Sequence, residues 1–356
     1  MQIVEVAVGG GLVLTVLFDL FQSVVLPRPT PGAFRLTSSF LRLTWSGFRF
    51  LAVRTSEAKR EALLGSYAPA AVLLLLATWM AGLILGYGLM LHGLKQELRP
   101  VPPNFETALY ASAISLLTIG FGDIVPTGLP ARILIVLEGA SGLGAVAMVI
   151  SLLFSLYGAF QKREVAVVML DASAGSPPSG IGLLENASRF EMPELLAQVF
   201  GEWRVWSAEV LESHLAYPIL MYFRSTHDGE SWVSALGAVM DAATLVMTTI
   251  GGVPRGPAKI MYLVGAHLVE DLTHLLDFDH GHAVGVERTE FEQACDQLEA
   301  AGYRISDRDQ SWERFSELRS RYAGPLNSMA QYWRIPPAQW IGDRSYLPHS
   351  DLRLKR

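Results

Sequence analysis

Three long apolar segments constrain this chain more than any other feature of its sequence. The clearest runs from Ala68 to about Leu91, inside a stretch (62–94) that contains no Asp, Glu, Lys or Arg. A second extends from about Ala131 to Tyr157, and a third from Ile3 to Leu26. A helix needs about 20 apolar residues to cross the hydrocarbon core of a bilayer. The sequence therefore predicts an all-α membrane protein with three transmembrane helices.

The N-terminal segment has a second interpretation, as a cleaved signal peptide. Its apolar run contains Glu5 and Asp19, which weakens it as a span. However, its first residues, MQIVEV, carry no positive charge, and no small-x-small cleavage site precedes Pro27. Signal peptides have both features. We therefore expect residues 1–27 to form an uncleaved N-terminal transmembrane helix.

The basic residues of the loops predict the orientation of these spans, because short loops rich in Lys and Arg remain in the cytoplasm. The basic residues between the first two spans are Arg28, Arg35, Arg42, Arg49, Arg54, Lys59 and Arg60. The loop over 93–104 has only two, and Glu97 partly balances them. We expect a multi-pass protein of the cell (plasma) membrane with its N-terminus outside, residues 28–66 inside, 93–130 outside and the C-terminal part in the cytoplasm.

Residues 34–54 carry much of the basic character of the segment 28–66. Arg35, Arg42 and Arg49 recur every seven residues, with Phe and Leu between them. A voltage-sensor helix would place more basic residues, at every third position. The pattern favours a basic amphipathic helix that lies on the inner membrane surface.

A short helix followed by a glycine-containing turn is predicted between the second and third spans. Asn104 follows two prolines and can cap a helix, and Glu106 complements the helix dipole in the first turn. The helix-compatible run over 105–117 is too short to cross a bilayer, so we expect a re-entrant helix. It leads into Thr-Ile-Gly-Phe-Gly-Asp, residues 118–123.

This hexapeptide can present a column of oxygens to a cation. A pore that removes water from K⁺ must offer oxygens in place of the hydration shell. Alternating right- and left-handed backbone conformations point successive carbonyls the same way, and Gly120 and Gly122 tolerate the left-handed ones. Thr118 adds a hydroxyl oxygen, whereas Ile119 and Phe121 are expected to point away from the axis and pack on the surrounding helices. The negative end of the preceding helix favours a cation there.

The segment resembles the filter of the tetrameric potassium channels, which typically reads Thr-Val-Gly-Tyr-Gly-Asp. The variant with Ile and Phe is similar to that of two-pore-domain potassium channels. The resemblance covers about residues 67–160 and includes Ala108-Leu109-Tyr110, in the place of the family's Ala-Leu-aromatic. It implies a pore domain over 67–161. Its parts would be an outer helix (68–92), a pore helix (105–117), a filter (118–123) and an inner helix (130–160).

The resemblance also implies roles for individual residues, with potassium ions in the filter and no organic cofactor. The ion-binding residues would be Thr118, Ile119, Gly120, Phe121 and Gly122. Asp123 would concentrate cations at the outer mouth, with Tyr110 as its hydrogen-bond partner. Leu117 replaces a second Thr, Ile114 replaces a frequent acidic residue, and Phe121 replaces Tyr, so the polar scaffold around the filter is thinner. The alternative is a chance TIGFGD in a soluble Gly-rich turn, which the two flanking spans disfavour.

One filter strand cannot enclose an ion, and the chain has one pore segment with no internal repeat of it. Four chains must therefore assemble about a common axis, so we expect a homotetramer in a lipid bilayer. Potassium uptake transporters carry four such segments in one chain, and the single segment here favours a channel.

The predicted inner helix contains an acidic residue and several glycines. The glycines are Gly139, Gly142, Gly144 and Gly158. They could bend the helix to open an inner gate, or they could allow close helix packing. Glu138 is a functional candidate because intramembrane acids are rare, and it would face either the pore or the back of the filter. Glu138, Gly142 and Gly144 are therefore candidate gating residues, with Asp19 of the first span as a weaker one.

Residues 162–356 are predicted to form a cytoplasmic, α-helical regulatory domain. They contain 18 basic and 26 acidic residues, which argues against nucleic-acid binding. Residues 163–171 read as a short strand. Helical patterns follow at 192–224, 230–250, 257–278, 287–303 and 307–322. The apolar stretch 231–250 is either a fourth span or, as Asp241 favours, a buried helix of a bundle.

Several acidic and histidine residues of this domain could sense a metal ion or pH. His267, Asp271 and His274 share one helix face, and Glu209 and Glu212 are neighbours on another helix. Facing carboxylates and histidines bind metals in helix bundles, but a hydrogen-bonded network explains the same residues. A pH-sensing role would use His214, His267 or His274. The single Cys295 excludes a multi-cysteine metal site.

These features predict a potassium-selective channel subunit that conducts K⁺ passively and is gated or assembled through its helical tail. One alternative is a weakly selective monovalent cation channel of the same build. A second is a membrane-anchored enzyme or receptor that acts through the tail. The tail shows no Ser/His/Asp elbow, phosphate loop or zinc motif, so we do not expect an enzyme. The sequence names no ligand for the tail.

Overall fold

The computed structural model describes residues 2–26, 36–225, 231–276, 286–335 and 337–341. The chain divides into two compact units, Met1–Gly158 and Ala159–Arg356. The helices of the described residues are α1 (Gln2–Val24), α2 (Leu36–Ala52), α3 (Glu57–Gly93), α4 (Phe105–Leu116), α5 (Leu129–Ala174), α6 (Gly180–Arg189), α7 (Leu195–Ala216), α8 (Trp232–Thr248), α9 (Arg255–Leu276), α10 (Arg288–Ala300) and α11 (Arg308–Trp333). The basic residues Arg28 and Arg35 lie outside the described residues.

Three of these helices, α1, α3 and α5, are long and apolar enough to cross a membrane. Strands are limited to two short antiparallel pairs within the described ranges. In the first unit β1 (Leu98–Arg99) pairs with β2 (Val125–Pro126), and in the second β3 (Ile250–Gly251) pairs with β4 (Arg304–Ile305). The prediction of an all-α membrane protein with three spans is confirmed.

Helices α1 and α3 pack closely because small residues line their contact. A Cβ built on Gly82 would lie 2.8 Å from Val16 Cγ2, and one on Gly86 would lie 2.7 Å from Val13 Cγ2. Neither position of α3 can carry a side chain without moving α1. These glycines therefore set the distance between the two spans.

Asp19 faces the protein interior rather than lipid. Its carboxylate accepts hydrogen bonds from Trp79 Nε1 on α3 at 2.9 Å and from Thr37 Oγ1 on α2 at 2.8 Å. Only 4% of its surface is exposed. These contacts explain how an acid is tolerated in a span: buried polar groups are stable when hydrogen-bonded. They give Asp19 a structural role, as the residue that joins α1 to its two neighbours.

Helix α5 extends much further than the predicted inner helix, to Ala174. The strand predicted over 163–171 is therefore wrong. Its valines suggested a strand, but the buried positions Val167, Leu170 and Ala174 recur with helical spacing. A helix that has already formed adds each further residue at little cost. At a rise of about 1.5 Å per residue, its 46 residues span roughly 69 Å, more than twice the hydrocarbon thickness.

The second unit is a bundle of helices around α8. The side chains of α8 are buried on all sides, and Asp241 near its centre is paired inside the unit. Its carboxylate oxygen Oδ1 accepts from Arg319 Nε at 2.8 Å and from Tyr322 Oη at 2.7 Å, both on α11. Segment 231–250 is thus a buried bundle helix, as Asp241 favoured, and not a fourth span.

Candidate functional site

The short helix α4 begins and ends as the sequence requires. The side chain of Asn104 accepts a hydrogen bond from the Thr107 amide at 3.0 Å, which caps the first turn. Glu106 lies in that turn, and the helix ends at Leu116 after 12 residues. A helix of this length rises about 18 Å, so it cannot cross a bilayer.

The segment after α4 alternates in backbone conformation. Thr118, Gly120 and Gly122 have φ of +55°, +60° and +78°, and the residues between them do not have positive φ. Thr118 is strained in this conformation, because only glycine adopts it without cost. The amides of Ile119 and Gly120 donate to the Ile114 carbonyl at 2.8 and 3.2 Å, which holds the start of the segment against α4.

Both large side chains of this segment are exposed within one chain. Ile119 is 49% exposed and Phe121 is 69% exposed. The sequence predicts that they pack on surrounding helices, but within the described part of a single chain Ile119 is only half covered and Phe121 is mostly exposed. They are therefore available for contacts with another molecule.

Asp123 and Tyr110 meet at the end of the segment. The Tyr110 hydroxyl donates to Asp123 Oδ2 at 2.9 Å. This contact joins the last residue of the motif to the middle of α4, so that the segment is attached to the helix at both of its ends. The resemblance to potassium channels suggested this hydrogen bond, and the two residues form it in the structure.

Glu138 of α5 points towards α4. Its side chain is fully buried and accepts a hydrogen bond from Ser112 Oγ, which also lies 3.0 Å from the Ile84 carbonyl. Its second oxygen, Oε2, has no hydrogen-bond partner among the described residues. The sequence allowed Glu138 to face either the pore or the back of the filter. In the structure its side chain lies behind the motif 118–123, against α4. Ser112 gave no signal in the sequence, because a serine inside an apolar helix reads as a small packing residue.

The two candidate gating glycines of α5 have different surroundings. A Cβ on Gly142 would overlap the carbonyl oxygen of Leu116, at the C-terminal end of α4. A Cβ on Gly144 would meet nothing within 4 Å. Gly142 therefore lets α5 approach the last turn of α4, which is the packing role that the sequence left open. Gly144 has no such contact in the part of the chain that the structure describes.

Glu97 fixes the start of α5 and was missed as a site residue. Its Oε2 accepts from the Ala131 amide at 3.0 Å, and its carbonyl accepts from the Thr127 amide at 2.7 Å. Acidic groups stabilise helix N-termini through such contacts. The sequence shows Glu97 only as one of the charges of the loop 93–104. Its contacts could not be predicted, because 30 residues separate it from Thr127.

Among the residues that the structure describes, no group of three or more His, Cys, Asp or Glu side chains could hold a metal ion, so the residues named for the metal site do not come together there. Glu209 and Glu212 are exposed on α7. On α9, His267 Nε2 lies 3.6 Å from Asp271 Oδ2, and His274 is exposed. The i, i+4, i+7 spacing aligns these three α9 residues along one side of the helix.

The burial of His214 inside the second unit disfavours a pH-sensing role for its ring near neutral pH. The ring is 1% exposed, and desolvation together with the nearby Arg163 guanidinium lowers the pKa of His214 to about 3. It therefore stays neutral at physiological pH. Its Nδ1 contacts the Val210 carbonyl at 2.8 Å, as in a satisfied core histidine. Cys295 is likewise buried, and desolvation raises the pKa of its thiol to about 11.

Comparison with known proteins finds a similarity for part of the first unit. Residues 72–158 match the family model described as "Ion channel". This range includes α4, the motif 118–123 and the first part of α5, so the resemblance to ion channels is confirmed for this region. Over 223 residues the chain is 27% identical to the "Uncharacterized membrane protein YdjJ" of Bacillus subtilis (strain 168).

That alignment covers 60% of this chain and 62% of the relative, so the chain spans less than two thirds of the relative's length. No solved structure matches the chain. The chain thus has three helices that are able to cross a membrane, and its residues 72–158 are similar to ion-channel domains.

Proposed function

We propose that four copies of this chain form a potassium-selective channel in the cell (plasma) membrane, with residues 118–122 as the filter. The observation that carries the proposal is the alternation of positive φ at Thr118, Gly120 and Gly122. It occurs at the tip of a capped helix that lies between two spans, inside the region that matches the ion-channel family.

This backbone can bind dehydrated cations. When the handedness alternates along a strand, successive carbonyls share one direction, and four strands then form rings of oxygens that replace the hydration shell of K⁺. The Thr118 hydroxyl adds a ring at the inner end. The C-terminal end of α4 contributes a partial negative charge, and Asp123 adds a full one at the outer mouth. Potassium ions are the ligands, and transport is passive.

Two features support a tetramer: a single filter strand cannot surround an ion, and apolar side chains near it are exposed. One strand surrounds no ion, and Ile119 and Phe121 are uncovered within one chain. On α5, Val136, Leu143 and Phe154 are 70%, 66% and 78% exposed. Neighbouring copies and lipid would cover these surfaces. The basic residues of segment 28–66 support an orientation with α2 and the C-terminal unit in the cytoplasm and the N-terminus outside.

K⁺ flux into liposomes that contain the purified chain tests the proposal. We expect barium-sensitive K⁺ flux that exceeds Na⁺ flux by at least about tenfold, and a tetramer by native mass spectrometry. Gly120→Asp should abolish the flux, because an L-residue adopts this φ only with strain and its carboxylate would enter the filter. Gly256→Asp, at an exposed position of α9 with open space around it, is the matched control.

Each result of this experiment bears on a separate part of the proposal. Equal Na⁺ and K⁺ flux would replace it with the weakly selective cation channel that the thinner polar scaffold around Phe121 allows. Flux that persists in Gly120→Asp, or a protein that remains monomeric in membranes, would overturn it.

A further inference from the structure

The last part of α5 has one face that is held inside the second unit. Its buried residues recur every three or four positions, at Arg163, Val167, Leu170 and Ala174. The Arg163 guanidinium donates to the carbonyl oxygens of Leu220 and Phe223 at 3.0 and 2.6 Å. The Trp206 indole donates to the Arg163 carbonyl at 3.1 Å. These contacts fix the rotation of this part of α5, and with it the direction of the opposite face.

The opposite face of the same segment is uncovered. Each of its four residues comes two positions before a buried one, about 200° around the helix, and together they form the α5 stripe: Gln161, Val165, Val168 and Ala172. Val165 is 52% exposed and Val168 is 41% exposed. The six residues between Glu164 and Asp171 carry no charge. A helix face in water usually carries charged or polar residues. The α5 stripe therefore has the composition of a contact surface.

The α5 stripe lies too far along the helix to be covered by lipid. Val165 comes 36 residues after Leu129, the first residue of α5. At about 1.5 Å per residue, it lies roughly 54 Å from the start of the helix. A bilayer with its headgroups is about 40–45 Å thick. If the start of α5 lies at one surface of a membrane, Val165 has passed the other surface and is in water.

Exposed apolar side chains continue beside the stripe. α5 and α7 border a cleft of about 710 Å³ within the second unit, and Val165 and Ala172 of the stripe line it. Its other exposed apolar residues are Met169, Phe190, Met192 and Val205, which are 58%, 46%, 47% and 51% exposed. Clusters of large apolar side chains that stay exposed mark sites of association.

The spacing of the stripe is that of a contact between helices. Its residues are four, three and four positions apart, as are successive a and d positions of a coiled coil. Val165 occupies an a position and Val168 a d position. β-branched side chains at both kinds of position favour bundles of more than two strands. The surface therefore fits other helices of the same kind.

A second copy of α5 is the helix that the proposed channel supplies, so this step rests on the proposed function. α5 is one continuous helix from Leu129 to Ala174. Four such helices that meet around one pore leave the membrane side by side and in the same direction. Phe154, which is 78% exposed, comes seven residues before Gln161 on this helix, so the uncovered face extends back towards the pore. The uncharged stripe brings no like charges together when copies meet.

We propose that the α5 stripes of neighbouring copies pack on one another as a parallel helix bundle beyond the membrane. Val165, Val168 and Ala172 form its apolar layers, and Gln161 forms a polar layer that sets the register of the helices. The other face of each α5 is buried in its own second unit, so the bundle also holds the second units of the copies together.

Thiol crosslinking of the full-length protein in liposomes tests this contact. The native Cys295 is buried. A short bis-maleimide should join Val168→Cys to a second copy. Leu263→Cys on α9, where the native side chain is 56% exposed, is the matched control. It should crosslink at least about tenfold less, because residues held together have a high effective concentration. Equal crosslinking at residues 168 and 263 overturns the proposal.

A charge placed in the stripe gives an independent test. Val168→Asp brings like charges into one layer of the bundle, so the concentration at which the copies dissociate in detergent should rise roughly tenfold or more. Leu263→Asp adds the same charge outside the stripe and should leave dissociation unchanged. Residue 168 is partly exposed within one chain, so the change leaves the core of the second unit intact. Dissociation of Val168→Asp at the wild-type concentration overturns the proposal.

Crosslinking and flux together separate this contact from the channel itself. Crosslinks at residue 168 in a protein without K⁺ flux would support the bundle and overturn the channel. K⁺ flux through a tetramer that does not crosslink at residue 168 would overturn the bundle alone. A chain that is monomeric in membranes would overturn both.

Discussion

Ser112 on α4 donates a hydrogen bond to the buried carboxylate of Glu138 on α5. The proposed pore helix and the proposed inner helix are thus joined by a polar contact behind the filter. One turn further along α5, Gly142 lies against the carbonyl of Leu116, at the end of α4. The two contacts define how α4 packs against α5, that is, how the proposed pore helix packs against the proposed inner helix.

Removal of the Glu138 carboxylate should weaken this junction. In Glu138→Ala, Ser112 loses one of its two acceptors, and we expect a loss of about 1–3 kcal/mol in stability together with reduced K⁺ flux. Glu138→Gln retains an acceptor oxygen and should retain most of the flux. Thermal unfolding and liposome flux of Glu138→Ala, Ser112→Ala and the double variant measure the coupling. Additive effects of the two single changes would show that the pair does not act together.

Gly142 and Gly144 should respond differently to the same small change. A methyl group at Gly142 overlaps the Leu116 carbonyl, so Gly142→Ala should push α5 away from α4 and cost about 1–3 kcal/mol. Gly144→Ala should be nearly neutral, because its Cβ would meet nothing within 4 Å. The stability of the proposed tetramer in detergent and the K⁺ flux in liposomes measure the difference. If flexibility rather than packing decides gating, the two variants would change flux to similar extents.

The hydrogen bond between Tyr110 and Asp123 should support the proposed filter, and the charge of Asp123 should attract cations. Two different substitutions should separate these effects. Tyr110→Phe removes the 2.9 Å hydrogen bond and keeps the charge, so filter stability should fall by about 0.5–1.5 kcal/mol with unchanged salt dependence. Asp123→Asn removes the charge and should lower flux most at low ionic strength, where screening is weakest. Flux measured across a range of salt concentrations tests this split. A salt-independent effect of Asp123→Asn would contradict it.

The number of apolar spans and the alternating backbone of the proposed filter could be predicted because each depends on one continuous stretch of the sequence. A tripeptide alone would not have sufficed. Thr249-Ile250-Gly251 repeats the first three residues of the motif, but Thr249 has φ of −115° and Ile250 is fully buried. In this second tripeptide, Ile250 and Gly251 form a strand that pairs with Arg304–Ile305, and they do not form the turn seen after α4. Tertiary partners decide between the two conformations.

Contacts between distant residues could not be predicted in the same way. Ser112 and Glu138 are 26 residues apart, and Asp19 and Trp79 are 60 apart. Neither periodicity nor capping reports on such pairs. The end of α5 was misjudged for a related reason. The valines of 163–171 suit a strand locally, but a helix that continues from Leu129 overrides the local preference.

The buried pair of Asp241 and Arg319 should be essential to the second unit. Desolvation raises the pKa of the Asp241 carboxyl, whereas the Arg319 guanidinium and the Tyr322 hydroxyl lower it. Arg319→Ala leaves the carboxylate buried without its cation and should cost about 3–5 kcal/mol at neutral pH. The loss should shrink as pH falls and Asp241 becomes protonated. Arg314→Ala, at an exposed position on the same helix, is the control for thermal unfolding. A pH-independent loss in Arg319→Ala would contradict this account.

The burial of His214 should make the second unit sensitive to acid. Its pKa falls from the ordinary value of 6.5 to about 3 in the folded protein, so the unfolded chain binds more protons between these values. Stability is therefore fully present above about pH 6.5 and is lost as pH falls towards 3, by about 2 kcal/mol between pH 7 and pH 5. His214→Gln removes the titrating ring and should flatten this slope, whereas His267→Gln, at an exposed position, should leave it unchanged. Thermal unfolding of the full chain, followed by circular dichroism at the two pH values, measures the slopes. Equal slopes in the wild-type chain and His214→Gln would show that another group causes the acid sensitivity.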